Sequence, residues 1–113
     1  MDASEITPQM KGEMAEEKVF LALEELKKEG GIVNFGQTFA FSRDDQKGTD
    51  FMVFMGRGKE IHIQVKSYFL SKTQIKRYRR KGIWCVSAPL NKDISEVKEI
   101  ILRIIARARQ NRR

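Results

Sequence analysis

Asp50, Gln64 and Lys66 place a carboxylate, an amide and an amine within a short stretch of a 113-residue chain. Together these groups suit phosphodiester chemistry. A carboxylate oxygen beside an amide oxygen is a site for a hard divalent cation such as Mg²⁺, with Mn²⁺ as a substitute. Such a cation neutralises non-bridging phosphate oxygens and lowers the pKa of an attacking water, while an ammonium holds that water or the developing charge. Lysine fits the second role because its compact charge responds to its surroundings, whereas a guanidinium stays protonated. Glu16 offers a second carboxylate. The catalytic set read from the sequence is Glu16, Asp50, Gln64 and Lys66, and its metal-binding members are Asp50, Gln64 and Glu16.

A hairpin is what brings the three together. Phe51 to Met55 is wholly apolar, and Glu60 to Lys66 alternates: Ile61, Ile63 and Val65 fall on one face, Glu60, His62, Gln64 and Lys66 on the other. Gly56-Arg57-Gly58 reads as a three-residue loop with Gly58 in the left-handed position. Pairing Met55 with Lys59 then sets Phe51 opposite Ile63, Val53 opposite Ile61, and Asp50 opposite Gln64. The last two side chains would lie about 5 Å apart at Cβ, with Lys66 next along that face. A one-residue slip would set apolar partners against polar ones.

Glu16 comes from a helix. Thr7 reads as its N-cap and Pro8 as the first helical residue, Gly30-Gly31 stops it after about Glu29, and Ala15, Val19, Ala22, Leu23 and Leu26 form one apolar stripe. Glu16 falls on the edge of that stripe, whereas Glu17 and Glu24 face solvent and Glu13 is a weaker alternative. Taken singly, each candidate has a plainer reading: Asp50 caps a turn, Gln64 is solvated, Lys66 reaches for water from a strand end. Their convergence on one face argues for a site. His62, although on that face, reads as structural.

The rest of the chain supplies the scaffold. Ile32 to Phe35 and Thr38 to Phe41 are β-prone around Gly36, giving one bent strand or two short ones, and 42–49 is a polar loop. Ser71 to Lys81 reads as a basic helix ended by Gly82. Ile83 to Ala88 reads as a buried strand in which Cys85 is a small core hydrophobe. Pro89-Leu90-Asn91 turns the chain into a last helix, capped by Asp93 or Ser95, with Ile94, Val97, Ile101, Ile104, Ile105 and Ala108 as its stripe. The tail 107–113 is cationic and reads as frayed. The order is α-β-β-β-α-β-α in a single α/β domain over 1–113.

Charge narrows the partners. The net charge is +7, and it is unevenly spread: residues 1–31 carry 4 basic and 8 acidic side chains, the remainder 18 basic and 7 acidic. A positive body attracts a polyanion, of which nucleic acid is the commonest. Lys72, Lys76, Arg77, Arg79, Arg80 and Lys81 crowd into 71–81 around Tyr78, just after Tyr68 and Phe69, a pattern suited to phosphates with stacking on exposed bases. Arg43 and Lys47 in the polar loop beside Asp50 are further candidates for gripping the backbone. No apolar run reaches the ~20 residues of a membrane span, and Met1 to Thr7 lacks a secretion signal, so a cytoplasmic protein is expected. A single cysteine excludes an intramolecular disulfide and a CxxC zinc site.

Gly48-Thr49-Asp50, followed a hairpin later by Ile63-Gln64-Val65-Lys66-Ser67, resembles the PD-(D/E)xK nuclease superfamily. Gly12-Glu13-Met14-Ala15-Glu16 resembles the glycine-to-glutamate helix motif of the archaeal Holliday junction resolvases. The resemblance spans roughly residues 10 to 90 and implies a restriction-endonuclease-like α-β-β-β-α-β core with a mixed central sheet. It implies that Asp50 binds metal, Lys66 is the catalytic lysine, Glu16 is the helix acid, and Ser67, a nucleic-acid-binding candidate, stands where the resolvases often carry a serine after the lysine. Gln64 departs from the commoner Glu or Asp and is similar to the QxK motif of Mrr-type restriction nucleases, while Thr49 stands in place of proline. With one negative charge fewer, weaker metal binding is expected. The implied activity is metal-dependent hydrolysis of DNA, branched DNA by the likeness to resolvases. Alternatives are a restriction-like or repair nuclease on duplex or flapped DNA, or a catalytically silent nucleic-acid-binding module. So small a chain points to recognition of backbone shape. Paired incisions would call for a homodimer, with the apolar Met and Phe surplus and the wide apolar stripe of the last helix as its interface.

Overall fold

A proline that needs no hydrogen-bond partner and a threonine that supplies one start the first helix. In the computed structural model, which describes residues 6–38 and 49–110, Thr7 Oγ1 accepts from the Met10 amide at 3.1 Å, and α1 runs over Pro8–Lys28. At the other end Gly30 takes φ +80°, and the Gly31 amide returns to the Leu26 carbonyl at 2.8 Å. That left-handed exit is open to glycine without strain. The elements that follow are β1 (Asn34–Gln37), β2 (Phe51–Gly56), β3 (Lys59–Lys66), α2 (Lys72–Arg80), β4 (Ile83–Ser87) and α3 (Ile94–Gln110). The element order is the expected α-β-β-β-α-β-α.

The four strands form one mixed sheet in the order β1-β2-β3-β4, antiparallel from β1 to β3 and parallel between β3 and β4. Helices α1 and α3 pack on each other and on the sheet. They cover the alternate residues Phe51, Val53, Ile61, Ile63 and Val65, all buried, together with Val86. Asp93 caps α3: its Oδ1 accepts from the Glu96 amide at 2.9 Å, and Glu96 Oε1 accepts from the Asp93 amide at 3.2 Å. This is a reciprocal capping box. Lys98 of α3 bridges to Glu25 and Glu29 of α1.

Three expectations need correcting. The hairpin closes on Gly56↔Lys59, with Arg57 (φ +56°) and Gly58 (φ +73°) as a two-residue turn, and the extra residue Met55 is bulged out of the ladder. Two consecutive positive φ values match the right-handed twist of the flanking strands, which a three-residue loop need not do. The bulge absorbs one residue, so Phe51↔Ile63 and Val53↔Ile61 stand as expected. The first strand passes straight through Gly36, which pairs with Met52, while Ile32 is buried outside the strand. Any second piece at 39–41 lies outside the described residues. Finally, Val97, Ile101, Ile104, Ile105 and Ala108 are buried within the chain itself, so the α3 stripe is core and is not available as a dimer interface.

Candidate functional site

The antiparallel pairing of β2 with β3 and the parallel pairing of β3 with β4 bring three chain segments to one end of the sheet: the entry to β2 and the exits from β3 and β4. Asp50 stands at that entry, Lys66 at the end of β3, and Gln64 two residues before it.

The ladder stops at Phe51↔Ile63 and Asp50 does not continue it as a regular partner of Gln64. Its amide donates to the Ile63 carbonyl at 2.7 Å, and its carboxylate Oδ2 accepts from the Val65 amide at 2.7 Å. The expected Asp50–Gln64 pair is thus shifted. The carboxylate is anchored to the backbone between Gln64 and Lys66, because a strand end leaves amides that a neighbouring side chain can take. Burial raises the Asp50 pKa above the ordinary carboxylate range, although the Val65 amide and the Lys66 ammonium both pull it down.

Gln64 has a half-exposed side chain, yet its Oε1 is buried and has no hydrogen-bond partner among the described residues. An amide oxygen left so is costly, of the order of 1–3 kcal/mol, and asks for a donor or a cation. Cys85 pairs with Gln64 across the parallel ladder and is half-buried, so it belongs beside the site and not to the core as expected. Burial pushes its thiol up to about 11, with Lys66 opposing and Asp50 adding to the shift. At neutral pH it is a thiol, a poor cation ligand.

Glu16 is on α1, half-buried, with Oε1 accepting from Gln37 Nε2 at 3.3 Å. Burial raises its pKa first, the Asp50 charge second, and the Gln37 hydrogen bond works against both. The Asp50 charge thus reaches Glu16. Glu16 borders a groove of about 360 Å³ together with Glu13, Glu17, Phe20 and Gln37. His62 bonds Thr49 Oγ1 at 3.4 Å and lies 3.7 Å from Glu60, which fits its structural reading. Among the described residues no cluster of three or more His, Cys, Asp or Glu could hold a metal. The donor set at this end is two carboxylates and one amide oxygen. That composition fits a hard cation bound weakly, and the partnerless Gln64 Oε1 is the feature that fits it best.

The basic residues divide. Lys72, Lys76, Arg77 and Arg80 are exposed on α2, with Lys76, Arg77 and Arg80 lining a cleft of about 150 Å³ with Thr73. Lys81 caps the helix and is exposed. Arg79 differs: its guanidinium lies 3.5 Å from the Trp84 ring centroid, so one face of it is occupied in holding α2 to β4. Ser67 follows Lys66 and is half-buried, while Arg43 and Lys47 lie outside the described residues. Tyr78 of α2 places its ring 5.9 Å from Lys66 Nζ, linking the basic helix to the site lysine. The roles of Gln37 and Cys85 are not readable from spacing, since neither stands at a motif position. No family model, curated protein or solved structure matches the chain.

Proposed function

We propose that this chain is a Mg²⁺-dependent DNA endonuclease of the PD-(D/E)xK type, acting on branched DNA, with Mn²⁺ as a substitute metal. One observation carries the reading. The Asp50 carboxylate is anchored at the Val65 amide, between a Gln64 whose buried Oε1 has no partner among the described residues and a Lys66 whose charge it feels. Asp50, Gln64 and Glu16 would hold the cation, which supplies Lewis-acid stabilisation of the phosphate and a more acidic water. Lys66, in the slot two residues beyond Gln64, holds the nucleophile or the developing charge. The exposed cations of α2 grip phosphates flanking the scissile bond.

The net charge of +7 supports a polyanionic substrate. Among the described residues no helix is long and apolar enough to cross a membrane. A cytoplasmic location and a homodimer that cuts paired strands belong to the same proposal, with a surface other than the α3 stripe as the dimer contact. The want of a three-member acidic cluster among the described residues favours one second reading, a silent nucleic-acid-binding module of the same fold.

Labelled four-way, flapped and linear DNA, incubated with Mg²⁺, Mn²⁺ or EDTA, separates the two. Metal-dependent cleavage is expected, falling by about 10³-fold or more in Asp50→Asn and Lys66→Ala while binding in EDTA persists. Gln64→Glu should lower the Mg²⁺ concentration needed for half-maximal cutting. Binding with no cleavage in any metal would establish the silent module. Cleavage indifferent to both substitutions would place the activity elsewhere.

A further inference from the structure

Strands β3 and β4 run parallel, so the segments that leave them, 67–71 and 88–93, emerge at the same end of the sheet as Asp50 and Lys66. The Ala88 amide, donating to the Lys66 carbonyl at 2.8 Å, ties the two together. On these segments the chain exposes large apolar side chains: Phe69 is 70% exposed, Tyr68 51% and Leu90 42%. Lys92 Nζ stands 5.0 Å from the Phe69 ring centroid. Two adjacent aromatics so uncovered, two and three residues after Lys66, stabilise nothing in the core. They form an apolar lip with the Lys92 ammonium at the Phe69 ring and with Lys66 and Lys72 each three residues from Phe69 along the chain.

That combination selects a ligand. An exposed aromatic surface with an ammonium beside it fits a flat apolar group attached to an anion, which is an unpaired nucleotide: the base stacks on the ring and its phosphate meets the lysine. Bases inside a duplex offer only their edges, because their faces are stacked on one another. A flap or a branch point offers faces. A second copy of this chain would bring the same positive charge to the patch and is disfavoured by repulsion. We infer that Tyr68 and Phe69 form a stacking lip that captures unpaired bases of branched or flapped DNA beside Lys66, so that the substrate is chosen by its unpaired strand. The inference rests on the nuclease reading for what lies next to the lip, and names how that site would find its DNA.

Binding in EDTA tests it without any cleavage. Fluorescence anisotropy compares a duplex carrying a single-stranded flap with the same duplex whose flap sugars are abasic, so that phosphates are kept and faces removed. The wild-type chain should bind the intact flap about tenfold more tightly than the abasic one, a loss within the range for one stacked base. Phe69→Ala and Tyr68→Ala should erase that preference. Phe69→Trp should keep it and report contact by quenching of its fluorescence. Equal affinity of the wild type for the two flaps, or a preference untouched in both alanine variants, overturns the lip. Alanine variants that abolish self-association in sedimentation while keeping the flap preference assign the patch to a second copy and overturn it too. Asp50→Asn should show the same preference as wild type, so a failure of the lip leaves the cleavage test standing, and a failure of cleavage leaves the lip.

Discussion

Helices α2 and α3 both flank β4, and they are held in opposite ways. Along its 17 residues α3 buries Val97, Ile101, Ile104, Ile105 and Ala108, whereas the nine residues of α2 bury none. A nine-residue helix is too short to stand alone, and the like charges of Lys72 with Lys76, and of Lys76 with Arg80, work against it. What holds it is local: the capping box in which Ser71 and Gln74 satisfy one another's amides, and the Arg79 guanidinium over Trp84. The lesson is a division of labour. The chain keeps its stability in α1, α3 and the sheet, and displays its positive charge on an element the core does not need.

The largest expected effect is on the α3 side. Ile101 is fully buried, and Ile101→Ala should lower the unfolding free energy by about 2–5 kcal/mol, seen as a lower urea midpoint. A smaller effect on stability, and a larger one on binding, is expected on the α2 side. Replacing Lys72, Lys76, Arg77 and Arg80 together by glutamine should leave stability within about 0.5 kcal/mol. It should flatten the slope of log affinity for DNA against log salt by up to ~3.6, at ~0.9 per phosphate contact. An α2 variant that unfolds as readily as Ile101→Ala would break the comparison. The smallest effect concerns the site between them. Because burial raises the Asp50 carboxyl above its ordinary 3.8, its contribution to stability is complete below that value and is lost as the pH rises through the folded-state value. Without metal at neutral pH, Asp50→Asn should therefore melt above the wild type, and the difference should vanish in acid near pH 3. Adding Mg²⁺ should raise the melting temperature of the wild type and leave that of Asp50→Asn where it was.

Much of this is legible in the sequence because it follows from period and sign. The α1 and α3 stripes follow from the helical period of their apolar residues, the Thr7 cap from its hydroxyl ahead of Pro8, and the Phe51↔Ile63 register from apolar alternation along the strands. The turn is open to misjudgement because Gly56-Arg57-Gly58 fits both a three-residue loop and a two-residue turn with a bulge, and only backbone twist separates them. The α3 stripe suggests a partner because periodicity says that a face is apolar without saying what covers it. At the site, residue types point to Asp50, Gln64 and Lys66, but the link between the Asp50 carboxylate and the Val65 amide depends on how a strand frays at its end. The environment of Cys85 depends on the parallel neighbour β3, which no local spacing encodes.

Lys18 has no place in any motif, yet its Nζ donates to the carbonyls of Pro89, Leu90 and Lys92 at 2.9, 3.1 and 2.7 Å. It lies two residues after Glu16 on the same helix. One ammonium thus fastens the turn bearing Leu90 and Lys92 to the helix bearing the acid, 71 or more positions away along the chain. The acid and the turn must then travel together. Little freedom is left to be frozen when a ligand arrives, and a neutral side chain at position 18 would let the two drift apart before any reacting group had been touched.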